Sequence, residues 1–233
     1  MIFHTHPVIK VLASPLVHND GVQDYTQCIL QPLDFSGDFL AEIAGRSCYW
    51  SYGKGRTSAA YMENILSSGH GSTLEHANWT FGLSGISRSL SHELVRHRHL
   101  SFSQLSQRYV TEEPEFVIPP AILDSGEPES DFRLSCGQAT DHWRNLLKRL
   151  PDTKAGREAA RGLLPNATAT RMVVTGDARA LRAMLALRGS EHADAEFRRL
   201  AVIWTGLMKQ LAPLMFKDFS IVGGCVHSEY GHV

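Results

Sequence analysis

Between residues 79 and 83 the chain alternates. Trp79, Phe81 and Leu83 fall on one side of a ribbon, with Thr80 and Gly82 on the other. A period of two predicts a strand with one buried face. The period then changes: Ile86, Leu90 and Leu94 recur every four residues, which puts them on one helical face. Ser84 or Ser87 is suited to cap that helix. A longer stripe, Phe197, Leu200, Trp204, Leu207 and Leu211, predicts a core-facing helix over residues 191–211. We read it as packing rather than as a cofactor-binding face.

The same reasoning predicts helices over residues 38–47, over 57–68 (Tyr61, Ile65 and Leu66 at helical spacing), over 132–150, over 154–164 with Pro165 as the stop, and over 179–187. Strands are expected at residues 8–12, at Phe116-Val117-Ile118 ahead of Pro119-Pro120, and over the β-branched run 168–175. Residues 13–36, with Pro15, Gly21 and Pro32, read as loop, and residues 124–130 as a surface connection. The tail from about residue 221 to 233 is left unassigned, and no internal repeat is visible. The mixture predicts an α+β fold in a single domain spanning residues 1–233.

Composition narrows the function classes. With 233 residues, 43% hydrophobic and 20% charged, the chain can bury a substantial core. Its longest apolar stretch, Leu200 to Met208, is broken by Thr205 and Gly206 and is far short of a membrane span. The amino-terminal residues lack the basic and apolar regions of a secretory signal, so a cytoplasmic location is expected. A net charge of −1 does not call for a nucleic-acid polymer or a membrane as partner. Cys28, Cys48, Cys136 and Cys225 form no Cys-x-x-Cys pair, so a zinc knuckle is not expected, and reduced thiols are.

The positive charge is local. Arg96-His97-Arg98, seven residues, then Ser106-Gln107-Arg108 gather three guanidiniums, two histidines and three hydroxyls, with no acid between Arg96 and Tyr109. A solvated basic face would intersperse Glu or Lys. Guanidinium forks beside hydroxyls suit phosphate oxygens. Glu93 lies one turn before Arg96 and either pairs with it or reaches a ligand. The stretch His92-Glu93-Leu94-Val95-Arg96-His97 is not a metal motif: its histidines are five apart and diverge by about 140° around a helix, so no metal is expected. Upstream, Gly69 and Gly71 flank His70, as in a turn that brings backbone close to a ligand. The alternative there is a locally satisfied cap. Arg161 and Arg188 each stand near a helix end, where the bland role is bonding to the last carbonyls or to a neighbouring acid.

These segments together resemble the flavin-dependent thymidylate synthases. The signature at residues 96–108 is joined by Gly69-His70-Gly71-Ser72-Thr73-Leu74-Glu75-His76, by Ala160-Arg161-Gly162-Leu163-Leu164-Pro165-Asn166, and by Ala186-Leu187-Arg188-Gly189-Ser190-Glu191-His192-Ala193. They stand in the family's order across roughly residues 40–212. The resemblance implies a mainly antiparallel sheet and a homotetramer with active sites shared between subunits. It implies reductive methylation of deoxyuridylate (dUMP) to thymidylate. FAD is the cofactor, and NADPH and methylenetetrahydrofolate are the co-substrates.

By resemblance, dUMP is held by Glu93, Arg96, Gln104, Leu105, Ser106, Gln107, Arg108, Arg161 and Arg188, with Ser106 and Arg108 in the phosphate cradle. FAD is held by His70, Ser72, Glu75, Arg96, His97, Arg98, His99, Gln104, Asp177, Arg179 and Ala183. Arg188 is the residue expected to activate the uracil ring. Asp177 and Ala183 depart from the family pattern, which usually has Asn at the first position and Asn or His at the second. The rival readings are an RNA-binding module, opposed by the neutral charge balance, and a metallohydrolase built on the many His and Glu residues.

Overall fold

A computed structural model of the chain describes residues 1–28, 33–231 and 233. In chain order it begins with β1 (Phe3–His4), β2 (Val8–Ala13), α1 (Asn19–Thr26), α2 (Ser36–Tyr49), α3 (Ser58–Ser67) and a 3-10 helix at Gly71–His76. There follow β3 (Asn78–Ser87), α4 (Arg88–Leu94), β4 (Ser101–Gln104), β5 (Phe116–Val117), α5 (Glu127–Arg149) and α6 (Lys154–Ala160). A short 3-10 turn, Arg161–Leu163, leads to β6 (Ala169–Asp177), α7 (Ala178–Arg188), α8 (Ala195–Leu211), β7 (Phe219–Val222) and β8 (Cys225–Ser228). The fold is thus α+β and its sheets are mainly antiparallel. The largest sheet has the order β2-β3-β6-β4.

Two compact units are formed. One contains Met1–Lys10, Gly82–Arg96 and Phe102–Val173; the other contains Val11–Phe81, His97–Ser101 and Val174–Val233. In the first unit β1 runs parallel to β5, with Phe3 opposite Phe116 and His4 opposite Val117. Arg133 of α5 lies over the Phe3 ring, 4.4 Å from its centroid. Cys136, Thr140 and Trp143 form the buried side of α5.

In the second unit the predicted stripe is the core. Phe197, Leu200 and Trp204 are fully buried, while Leu207 and Leu211 are half-buried. Phe81 meets Trp204 edge-on at 4.9 Å, a favoured aromatic geometry. Arg182 of α7 and Asp218 form a buried ion pair with bonds of 2.7 and 3.0 Å. Arg182 also donates to the carbonyls of Met215 and Tyr230. Asp218 in turn accepts from Ser228 Oγ at 2.6 Å and from Tyr230 N at 3.0 Å. The Asp218 carboxyl is raised by burial, but the bonds from Arg182 and Ser228 outweigh this and hold it below its usual range.

Several expectations are corrected. Residues 13–36 are not all loop: α1 occupies Asn19–Thr26 and α2 begins at Ser36; residues 29–32 lie outside the described part. With Gly21 inside it and Thr26 as its one buried residue, α1 offers little apolar periodicity to read. Ile86 belongs to β3, not to the helix, because the switch falls at Ser87, whose Oγ accepts from Leu90 N at 3.0 Å. Residues 124–130 are half helix, since α5 starts at Glu127 with Pro128 in its first turn. The predicted 154–164 helix ends at Ala160 and tightens into the 3-10 turn before Pro165.

The first part of the unassigned tail, to Ser228, belongs to a hairpin of β7 and β8. Val222 pairs with Cys225 across Gly223-Gly224, and both glycines have positive φ, 58° and 74°. That is the two-residue turn whose twist matches paired strands.

Asp38, at the start of α2, is fully buried and accepts from Leu214 N at 3.0 Å and Met215 N at 2.9 Å. Burial pushes its carboxyl from 3.8 up to about 6, against the lowering effect of those two bonds. A raised carboxyl binds its proton more tightly in the folded state. Its stabilising contribution is therefore complete below pH 3.8 and is lost as pH rises through about 6. Asp38→Asn removes this titration. Between pH 4 and 7 the unfolding free energy of the parent should fall, relative to that variant, by on the order of 3 kcal/mol. Urea unfolding at both pH values measures this, and a pH-independent difference would contradict the buried, proton-binding carboxyl.

Candidate active site

In the first unit a cavity of about 160 Å³ is lined by Arg88, Leu105 and Gln107, with Thr168, Thr170 and Arg171 from the β6 region. Leu105 N donates to Arg171 O at 2.9 Å, which pins the start of the Gln104–Arg108 segment. Gln104 Nε2 donates to Ser91 Oγ at 2.9 Å and to Thr170 Oγ1 at 3.2 Å, so its amide is anchored by protein hydroxyls. Ser106 and Arg108 fall in the turn beyond β4, with Arg108 N donating to Ser106 Oγ. They do not line this cavity. Arg108 Nη1 instead reaches Glu158 of α6 at 3.2 Å. The signature is free of acids in sequence, but folding supplies one.

Arg88 was not visible as a site residue in the sequence. It opens α4, and its Nη2 donates to Leu105 O at 2.8 Å. Its Nε is buried with no hydrogen-bond partner. Burial lowers its pKa, and the nearby charge of Arg161 lowers it further. Two guanidiniums brought together against their repulsion, one with an unsatisfied N–H, make a place for an anion. Three glutamates, Glu112, Glu113 and Glu115, also line the cavity. Glu115 is paired with His4 at 2.6 Å and Glu113 with Arg144.

The second unit holds a larger cavity, about 680 Å³, lined by His70, Ser72, Tyr61, Lys54, Arg56 and Arg179 among others. Its volume lies within the range of about 300–1,000 Å³ usual for small-molecule and cofactor sites. Gly69, with φ of 71°, turns the chain into His70, as the sequence suggested. Gly71 is needed for a different reason: a Cβ there would stand 2.7 Å from Arg179 Nε. Arg179 Nη1 pairs with Glu75 at 2.6 Å. Asp177 caps α7, its Oδ1 accepting from Ala180 N at 2.8 Å. Ala183 is exposed on α7.

His97, Arg98 and His99 follow α4 in a turn. Arg98 and His99 are exposed, and His97 is half-buried. Arg188, the last residue of α7, donates from Nε to His97 Nε2 at 3.0 Å. Burial, and then the Arg188 charge, push His97 from 6.5 down to about 4. Arg188 also lies over the Phe197 ring, 5.1 Å from its centroid. Arg96 and Glu93 belong to the first unit, where Arg96 N bonds to Glu93 O at 3.2 Å. Arg161 is exposed at the start of the 3-10 turn. Among the described residues no cluster of three or more His, Cys, Asp or Glu is arranged to hold a metal, and no helix is long and apolar enough to cross a membrane.

A small polar cavity thus lies in one unit and a cofactor-sized cavity in the other, and the signature at residues 96–108 contributes residues to both units. The family model described as "Thymidylate synthase complementing protein" matches residues 34–214. A flavin-dependent thymidylate synthase of Mycobacteroides abscessus is 45% identical over 201 residues, covering 79% of this chain and 80% of the relative. The one from Mycolicibacterium gilvum is 46% identical over 201 residues, with the same coverage. The fold is similar to that of the UMP/dUMP methylase PolB from Streptomyces cacaoi, solved with 5-Br UMP. The TM-score is 0.72 at 22% identity, over 93% of this chain and 95% of that one. The chain belongs to the thymidylate synthase complementing protein family.

Arg88 is open to direct test. Arg88→Met keeps an unbranched stem and loses the guanidinium with its charge and donors. A hydrogen bond to a charged group is worth about 1.5–3 kcal/mol, so dUMP binding should weaken roughly 10–150-fold. Calorimetric titration reads the change, with a thermal melt confirming the fold. Unaltered affinity would remove Arg88 from the nucleotide site.

Proposed function

We propose that this chain is a flavin-dependent thymidylate synthase that methylates dUMP to thymidylate, with methylenetetrahydrofolate as carbon donor and NADPH as reductant. The observation that carries the reading is convergence. Ser72 and Arg179, more than a hundred residues apart, line one cofactor-sized cavity in a chain that belongs to this family.

The donor set of that cavity fits FAD. Lys54, Arg56 and Arg179 offer cations for a diphosphate, and His70 and Ser72 offer polar groups at a close turn. Bound FAD, once reduced, would supply the hydride that completes the methyl group. The chain's own share is positioning and electrostatics. Arg88, Arg161 and the Gln104–Arg108 segment hold the nucleotide's phosphate and sugar. Arg188 meets the uracil ring, where a fixed guanidinium stabilises negative charge developing on the pyrimidine. Glu93, Arg96, Arg98 and His99 complete the nucleotide and flavin contacts. Ser106 binds rather than attacks: its hydroxyl accepts from Arg108 N, and its sequence neighbours Gln107 and Arg108 provide no base to activate it.

A homotetramer in the cytoplasm completes the reading. Tyr25, Tyr49 and Trp50 are large, exposed and clustered, with Tyr25 and Trp50 in edge contact at 5.8 Å. Exposed aromatic groups of this kind mark association surfaces.

Arg188→Ala should abolish thymidylate formation, because neither alanine nor bulk water replaces the guanidinium fork. NADPH oxidation should persist at least in part, since flavin reduction needs no charged pyrimidine. Product analysis beside the decay of NADPH absorbance separates the two steps, and a normal thymidylate yield would refute the role. Gel filtration of the purified protein should give one yellow species near four times 25.8 kDa. A flavin-loaded monomer would contradict sites shared between subunits.

A further inference from the structure

Arg188 is held by more than the helix that carries it. Its Nε donates to His97 Nε2 at 3.0 Å. The face of its guanidinium lies over Phe197, which is fully buried on α8. His97 itself stands edge-on to Phe197, with centroids 6.2 Å apart and planes at 81°. Imidazole, guanidinium and phenyl ring therefore form one packed triplet. The turn that presents His97 is also fixed: Leu100 N donates to His97 O at 3.1 Å, and the Leu100 side chain is buried. A Cβ on Gly176 would stand 2.2 Å from Leu100 Cδ2, so glycine at 176 leaves the room that seats this turn.

An N–H of arginine can only donate. Its bond to His97 Nε2 requires a lone pair there, so the imidazole must be neutral with its proton on Nδ1. A protonated His97 would turn the bond into a repulsion between two cations. The charge that acts on the imidazole is that of Arg188 from α7; Arg96, Arg98 and His99 are its neighbours in sequence, as Glu196 and Arg198 are those of Phe197 on α8. Burial and the Arg188 charge both disfavour protonation.

We infer that His97 is a positioning residue for Arg188: as a neutral acceptor it fixes the guanidinium that acts on the pyrimidine. The inference rests on the role proposed for Arg188 and adds that the orientation of its guanidinium, not its charge alone, sets the rate. A displacement of about 1 Å in a positioned group can cost on the order of a hundredfold in rate.

The test compares His97→Phe, which keeps a ring but has no acceptor, with His97→Gln, whose amide oxygen can accept from Nε. Each is assayed as flavin-loaded holoenzyme for kcat and KM toward dUMP, alongside NADPH oxidation and flavin content. Per bound flavin, His97→Phe should lose roughly 10–100-fold in kcat for thymidylate, a larger loss than that of NADPH oxidation per bound flavin, and His97→Gln should recover most of it. Nitrogen NMR of the parent at pH 7 should show Nε2 unprotonated. Parent-like turnover in His97→Phe overturns the inference, as does an Nε2 found protonated in the parent at pH 7. Arg188→Ala separates the two ideas. If it makes thymidylate normally, the role of Arg188 itself falls. If it is inactive while His97→Phe is unaffected, only the positioning role falls.

Discussion

The ion pair between Arg182 and Asp218 is the constraint on which the second unit depends. Both groups are buried, at 0% and 2% side-chain exposure. Withdrawing two charges from water costs several kcal/mol each, and attraction offsets that only when the remaining donors and acceptors are also satisfied. Here Arg182 reaches two backbone carbonyls and Asp218 accepts from a hydroxyl and a backbone N–H, leaving the buried Arg182 Nε as the one guanidinium nitrogen without a partner among the described residues. The result ties the middle of α7 to residues 215–230. Everything that α7 carries takes its place from that tie: the Asp177 cap and Arg179 at one end, Arg188 at the other. The hairpin completes the arrangement. Val226 occupies the space left by Gly189, where a Cβ would come within 2.4 Å of it, so glycine beside Arg188 is a packing requirement.

How far the sequence could be read follows from where information is stored. Periodic apolar patterns survive as elements: the alternation at Trp79–Leu83 became β3, and the Phe197–Trp204 stripe became the core of α8. The polar signature was legible as a local concentration of charge, but its partners were not: Arg108 meets Glu158 from α6, fifty residues on. What failed was aperiodic or non-local. Short α1 buries a single residue. The terminal hairpin announced itself only through Gly223-Gly224, a turn signal without long flanking strands. Arg88 looked like any helix-start cation. Its significance lies in an unsatisfied Nε and the proximity of Arg161, both created by folding.

The division of the signature has a structural basis. The chain leaves one unit after Arg96 and returns at Phe102, so residues 97–101 belong to one and Arg96 with residues 102–108 to the other. Thirteen consecutive residues therefore serve two local environments. In the first, Gln104 is bonded to Ser91 and Thr170. In the second, His97 is bonded to Arg188. Neither environment alone explains why the motif is so dense, but together they do.

The arginines also show why burial, not residue type, separates fixed from exchangeable charge. Arg182 cannot exchange its carboxylate for a ligand without leaving a buried charge unpaired, which costs about 3–5 kcal/mol. Arg179 and Arg108 are different. Their pairs with Glu75 and Glu158 leave side chains 46% and 40% exposed, and exposed pairs of this kind are worth only about 0–1 kcal/mol. Such a pair orients a guanidinium without fixing it, so breaking it costs little. The same argument accounts for Asp177, the departure from the family's Asn. As a helix cap, Asp and Asn are equivalent, and the carboxylate is already engaged with Ala180 N. Its negative charge is compensated by the helix start it sits on.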